Sequence, residues 1–270
     1  MSAAIDAPRL SRVARRRQRT IDEIVEVARA QLRAQEAVSI SSVASAMGMT
    51  PPALYRYVPN LAGLNTLVNQ SIASDLIERL RSAADRQSDA PAKLVAAATA
   101  FRQWALNNYA EYRSAFAPQG GPLAQPVKGE ASPSDLASFA FADVIAEVVR
   151  ELNPQLDDIV VSQAYRDACD RLAERNPFLV HNHPPELLWT FERAWVKFLG
   201  VVSYEAFGFL DPQMVVSGDM FVSIMLEIGQ SIGLDQDVER LLAIAVETAT
   251  WTDEMDGVQP LHIQYALKRG

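Results

Sequence analysis

The sequence predicts an all-α fold, and three observations carry that prediction. Apolar residues recur at three- and four-residue spacing in one segment after another, the period of a helix buried along one face. No β-alternating run is long enough to build a sheet, and no internal repeat is present. Residues that cap or break helices, chiefly Ser, Thr, Asn, Gly and Pro, fall where one helical pattern gives way to the next. At 270 residues, 49% hydrophobic and 21% charged, the chain has an ordinary globular composition. It exceeds a lone module of roughly 60 residues several times over, so two domains are expected.

The elements follow in order. Residues 1–19 hold Pro8 and six arginines without a sustained apolar period, and are expected to form a flexible basic arm. Thr20 followed by Glu23 has the form of a capping box opening a helix over 21–35, whose apolar face is Ile21, Ile24, Val25, Ala28 and Leu32. Ser39 can cap a short helix with Ile40, Val43, Ala44 and Met47 inward, ended by Gly48. Thr50 is placed to cap the next, and Pro51 stands at its first position, where a missing N–H costs nothing. Asn60 caps a long amphipathic helix reaching about residue 86, with Leu61, Leu64, Val68, Ile72, Leu76 and Leu80 buried.

Past Pro91, helical patterns run over about 92–109 and 134–152. Four prolines and three glycines between residues 117 and 133 predict a loop there. Asn153-Pro154 and Asn176-Pro177 bracket a further helix. His183-Pro184-Pro185 precedes two strongly apolar helices, about 186–208 and 212–231. The expected organisation is an arm over 1–19, a head over 20–86 and a body over 87–270. The head is a three-helix unit with a helix-turn-helix at 39–58 and a linking helix at 60–86.

Net charge divides unevenly. Residues 1–60 carry nine arginines against five acidic residues, plus 4, so the other 210 residues carry minus 12 of the chain's total of minus 8. A basic head on an acidic body suits a protein that brings one end to phosphates. No apolar stretch approaches the ~18 residues of a membrane span. The N-terminus also lacks the apolar run of a secretory signal. A cytoplasmic protein with no membrane partner is therefore expected. Cys169 is the single cysteine and reads as a small buried hydrophobe.

The 39–58 segment meets the demands of a helix-turn-helix. Ala44 is small where two steeply crossed helices touch, Gly48 can take the left-handed turn, and Val43, Met47, Met49 and Leu54 supply the buried wedge. The second helix, from Pro51 to Tyr57, would enter the major groove N-terminus first. Thr50, Pro52, Ala53 and Arg56 could then approach base edges, arginine being the common partner of guanine. Tyr55 and Tyr57 are placed to donate to phosphates, with core packing as their alternative role. The candidate DNA-binding set is Arg15, Arg16, Arg17, Thr20, Ser39, Ser41, Thr50, Pro51, Pro52, Ala53, Tyr55, Arg56, Tyr57 and Asn60.

With those residues in view, VASAMGMTPPALYRYVPN (43–60) resembles the DNA-binding head of the tetracycline-repressor (TetR) family, and the likeness extends over about residues 19–75. Members of that family often carry a lysine just inside the fourth helix that contacts phosphate. Asn60-Leu61-Ala62-Gly63 has no charge there, so the contact is absent or comes from the arm. AWVKFLGVVSYEAFGF (194–209) resembles the segment that defines the family's WHG-type C-terminal domain, although Leu199 replaces its histidine. The resemblance implies a homodimeric repressor that binds a palindromic operator and releases it when a small molecule enters the body. Residues 153–183 read as an insertion, and about 235–270 as an added C-terminal helix and tail.

Two roles are expected of the body. The helices over 186–208 and 212–231 have narrow polar stripes and so need burial on more than one side. A two-fold four-helix interface would supply it, through Trp195, Phe198, Leu199, Val202, Phe207, Met220, Phe221, Ile224 and Ile228; a fully internal helix pair is the alternative. Phe101, Trp104, Tyr112, Phe116, Phe139 and Trp195 are candidates to line a largely apolar effector cavity. His181 and His183, with Asp170 and Glu186 nearby, read as solvated or capping side chains on a proline-bounded loop, so no metal is expected. No phosphate loop, nucleophile elbow or carboxylate pair points to catalysis, and no cofactor is expected. The rival readings are an all-helical enzyme with a DNA-binding-like head and an adaptor that binds protein through the head.

Overall fold

The computed structural model describes residues 11–117, 132–152, 159–175, 184–234 and 237–256. Every regular element among them is a helix. The chain divides into two compact units, residues 1–72 and 73–270.

The first unit contains α1 (Arg12–Arg33), α2 (Ile40–Ala46), α3 (Pro51–Leu54) and the start of α4 (Leu61–Asp85). Of the expected residues Ile24, Ala28, Val43, Ala44, Leu54, Leu64 and Ile72 are completely buried, and Val58 joins them; Leu61, expected on the buried side of the long helix, is exposed at its first position. Arg29 lies among them and donates from Nη1 to Ser71 Oγ at 2.9 Å, so its charge enters the core with a partner. Asn60 caps α4 as expected, its Oδ1 accepting from Gly63 N at 2.8 Å. The division between the units falls inside α4, at residue 72, and not at its end.

One expectation fails at the start of α1. The helix begins at Arg12, capped by Ser11, whose Oγ accepts from Ala14 N, so residues 12–19 are helical and the arm can extend no further than residue 11. Thr20 therefore caps nothing, and its hydroxyl donates to the Arg16 carbonyl one turn back (3.2 Å). The physical reason is propensity: alanine and arginine favour the helix, and an earlier cap let it start two turns sooner.

The second unit is built around α5 (Ala90–Asn107), which is buried on nearly all sides. Its alanines let neighbouring helices approach closely. Its most extensive packing is with α12 (Val238–Asp256), followed by α7 (Pro133–Leu152) and α9 (Pro185–Ala206). Helix α6 (Tyr109–Phe116) follows α5 directly, and α8 (Gln163–Arg175) packs on α9. The helix expected over 212–231 is two, α10 (Pro212–Ser217) and α11 (Asp219–Ser231), because Gly218 adopts φ 70° and ends the first. Of the described residues, no helix is long and apolar enough to cross a membrane.

Candidate nucleic-acid interface and body cavity

The head's geometry begins with α2. Ser39 Oγ accepts from Ser42 N (3.0 Å) while Ser39 N donates to Ser42 Oγ (2.9 Å), a reciprocal box with serine in place of the usual Glu or Gln. Ser39 is thereby committed to folding, whereas Ser41 is exposed. Gly48 takes φ 65° at the turn, and Met49 N reaches back to the Ala44 carbonyl at 2.8 Å, closing the sharp connection that Ala44's small side chain permits.

Thr50 stands in the cap position of α3 with extended backbone but makes no side-chain cap bond. The two prolines explain this. A cap side chain accepts from the second or third helical N–H; Pro52 has none, and Ala53 N bonds to the Thr50 carbonyl (2.9 Å). The hydroxyl is thus not used by the helix. Thr50, Pro51, Pro52 and Arg56 are exposed, Ala53 is half-buried, and Tyr55 keeps half its surface in solvent. Together with exposed Asn60 they form one polar and apolar surface around a buried Leu54.

The basic segment is now part of a rigid element. Arg12, Arg15, Arg16 and Arg19 recur at three- and four-residue spacing and lie along one exposed face of α1. Arg17 projects elsewhere: its Nη1 donates to the Arg56 carbonyl at 2.9 Å, and its guanidinium sits 5.3 Å from the Tyr57 ring centroid. It docks the start of α1 on the end of the helix-turn-helix, and it half-covers Tyr57. Sequence spacing alone could not separate Arg17 from its neighbours in an expected arm. The absence of a cation at the start of α4 stands, since the first turn from Leu61 is uncharged.

In the body, the aromatic candidates pack on one another. Phe101, fully buried, makes edge contacts with Trp104, Tyr112, Phe116, Phe141, Trp195 and Phe198, and Tyr112 stacks on Phe116 at 4.9 Å. The Tyr112 hydroxyl lies 2.7 Å from Ser203 Oγ, and burial pushes its pKa up to about 12. The side chain of Phe139 lies outside the described residues. A cavity opens elsewhere in this unit, between α5, α11 and α12. Val95, Thr99, Phe221, Met225, Leu242 and Ala245 are among its walls, and the space between them, open solvent at the mouth included, is about 710 Å³.

Sequence reasoning missed a buried ion pair beside that cavity. Arg102 donates from Nε and Nη2 to the two carboxylate oxygens of Glu205 (2.6 and 2.9 Å) and from Nη2 to the Val215 carbonyl (2.6 Å), with both side chains wholly buried. Burial pushes the Glu205 carboxyl up, against the opposing pull of the guanidinium. Arg102 also sits 5.1 Å from the Phe221 ring. The partners are 103 residues apart, and no local pattern signals them.

Of the candidate interface residues, Phe198, Val202, Phe221 and Ile228 are buried within the chain itself, while Trp195, Leu199, Phe207, Met220 and Ile224 are half-buried. The exposed apolar side chains here are Val196, Tyr204, Phe209, Met214 and Val216. His181 and His183 lie outside the described residues. Glu186 is held by Arg166 at 2.6 Å, and Cys169 is buried, with its thiol pKa raised by desolvation.

A head of this kind on an all-helical body defines a DNA-binding transcriptional regulator. Residues 94–228, half of the chain, match the family model described as tetracyclin repressor-like, C-terminal domain, and the chain belongs to the TetR family. It is similar to the HTH-type transcriptional regulator Rv1816 of Mycobacterium tuberculosis (strain ATCC 25618 / H37Rv), with 28% identity over 200 residues covering 69% of this chain and 80% of the relative. The same figures hold for the HTH-type transcriptional regulator Mb1846 of Mycobacterium bovis (strain ATCC BAA-935 / AF2122/97). Among solved structures, the regulatory protein SCO4313 superposes with a TM-score of 0.53 at 26% identity, covering 84% of this chain and all of that one.

Proposed function

We propose that this regulator acts as a homodimeric repressor that binds a palindromic operator and lets go when a small apolar effector occupies the body. The observation that carries the reading is the exposed surface of Thr50, Pro51, Pro52, Tyr55 and Arg56 on a Gly48-turned helix pair. Arg56 is the base-reading side chain, placed for guanine O6 and N7. The Thr50 hydroxyl, which the prolines leave out of capping, and Tyr55 contact phosphate and fix register. Arg12, Arg15, Arg16 and Arg19 supply the phosphate attraction that a cation in α4 would otherwise give.

The dimer interface in this reading centres on the exposed faces of α9 and α10. Val196 and Tyr204 lie two turns apart on one side of α9 with Gly200 between them, and Phe209, Met214 and Val216 extend the apolar surface. A two-fold dimer would set two recognition helices about 34–36 Å apart, or a multiple of this. Effector binding changes that spacing by tilting α4, which requires the effector to bind the released state more tightly than the DNA-bound one.

The test is a titration of the full-length protein on the DNA flanking its own gene against scrambled DNA of equal length, at several salt concentrations. The reading expects sequence-preferring binding that weakens steeply with salt, by a dimer that Tyr204→Asp converts to monomer. Salt-independent association, or none, would favour an adaptor or enzyme instead.

A further inference from the structure

Helix α12 lies beyond residue 228, where the family match ends. Yet it forms the most extensive helix contact of the second unit, against α5. It also walls the cavity described above. The lining carries no charged side chain: Thr99 and Gln230 are its polar residues, and Phe221 is its one aromatic ring. Of these Thr99 is buried and Gln230 exposed, so Gln230 is the polar side chain of the lining that reaches solvent. Leucine, isoleucine, valine and methionine walls suit a slim aliphatic chain. Phe221 aside, they offer a planar group nothing to stack on, and they offer a charged group nothing to pair with inside.

Two contacts tie α12 to the short turn joining α4 to α5. Arg240 donates from both terminal nitrogens to the Asp89 carboxylate (2.9 and 3.3 Å), and Asp89 Oδ1 is itself the cap that accepts from Ala92 N at 3.0 Å. Arg86, one residue past the end of α4, has its guanidinium 4.8 Å from the Trp251 ring centroid. The wall of the slot is thus fastened at both anchors to the end of the linking helix.

We infer that this slot holds the hydrocarbon tail of an aliphatic amphiphile with its polar end at Gln230, and that α12 carries occupancy to α4 through Arg240–Asp89 and Arg86–Trp251. The inference rests on the effector-released regulator proposed above and names its ligand class, its site and its path. A tail pushed between α5 and α12 must either fill existing space or displace α12, and displacement acts on the two anchors at the α4–α5 turn.

Decanoate is the probe, measured by calorimetry on the full-length protein, alongside its effect on promoter-DNA affinity. Wild type should bind decanoate, and Val95→Trp or Leu242→Trp, which fill the slot from opposite walls, should each weaken it at least tenfold while promoter binding is kept. Arg240→Ala should keep decanoate binding but reduce its effect on DNA affinity several-fold. Loss of decanoate binding on Phe116→Ala with no loss in the two slot variants would move the site to the aromatic cluster and overturn the inference. So would a wild type that ignores decanoate while binding promoter DNA, a result that leaves the regulator reading standing. If slot variants instead change the oligomeric state and decanoate does not bind, the occupant is a second copy of the chain. Failure of wild type to bind promoter DNA at all would count against the regulator reading and not against the slot.

Discussion

Removing Glu205 isolates the most consequential polar contact in the body. In wild type its two oxygens take two hydrogen bonds from a guanidinium that has no exposed surface. Glu205→Ala leaves Arg102 buried with the Val215 carbonyl, a 3.3 Å contact to Gln103 and the face of Phe221. An uncompensated buried charge of this kind costs about 3–5 kcal/mol. For a unit the size of residues 73–270 this corresponds to a fall in Tm of about 6–20 °C. Arg102→Met with Glu205→Leu removes both charges; the Val215 carbonyl loses its 2.6 Å donor, about 1–3 kcal/mol, and Gln103 Oε1 loses only a long contact at 3.3 Å, so the double variant should melt above the single. Thermal unfolding followed by circular dichroism measures both. A single variant within about 2 °C of wild type, or a double variant melting lower than the single, would refute the view that desolvation governs this pair.

Three further outcomes follow from the same geometry. Gly48→Ala places a side chain at φ 65° with open space around it, so it should lower the head's stability by about 1–2 kcal/mol in urea unfolding through backbone strain alone. Replacing Arg12, Arg15, Arg16 and Arg19 together with alanine preserves helix propensity; it should weaken operator and scrambled DNA alike and flatten the log–log salt dependence by about 0.9 for each phosphate no longer neutralised. The hydrogen bond from Arg240 holds the Asp89 carboxyl below its usual 3.8, so this latch stabilises the fold at higher pH and is lost as pH falls through the lowered value. The Tm advantage of wild type over Asp89→Asn should accordingly be constant near neutrality and close only below about pH 3.8.

Much of the head was legible because its determinants are local. Ser39, Gly48, Pro51 and Asn60 each act within four residues of where they stand, and the helix starts they mark are those observed, although the helix expected to reach Tyr57 ends at Leu54. Thr20 and Glu23 also formed a correct local pattern, but Ser11 competed with it, and a helix once nucleated runs through a second possible cap. Gly218 was readable as a break and was outweighed by the apolar period on either side of it. The body's contacts are the opposite case. Arg102 with Glu205, Asp89 with Arg240 and Arg86 with Trp251 join residues more than 100 positions apart. Sequence periodicity reports which face of a helix is buried and not what covers it. For the same reason α12 read as an addition although it walls the unit's cavity.

The central claim is that Arg56 reads bases while the α1 arginines hold the backbone. Fluorescence anisotropy with wild type and Arg56→Ala, on the promoter sequence and on a scrambled duplex at fixed salt, tests it directly. The account predicts that Arg56→Ala loses about 1–3 kcal/mol on the promoter and little on the scrambled duplex, narrowing the ratio between them. Equal losses on both would make Arg56 one more phosphate-binding side chain and would contradict the account.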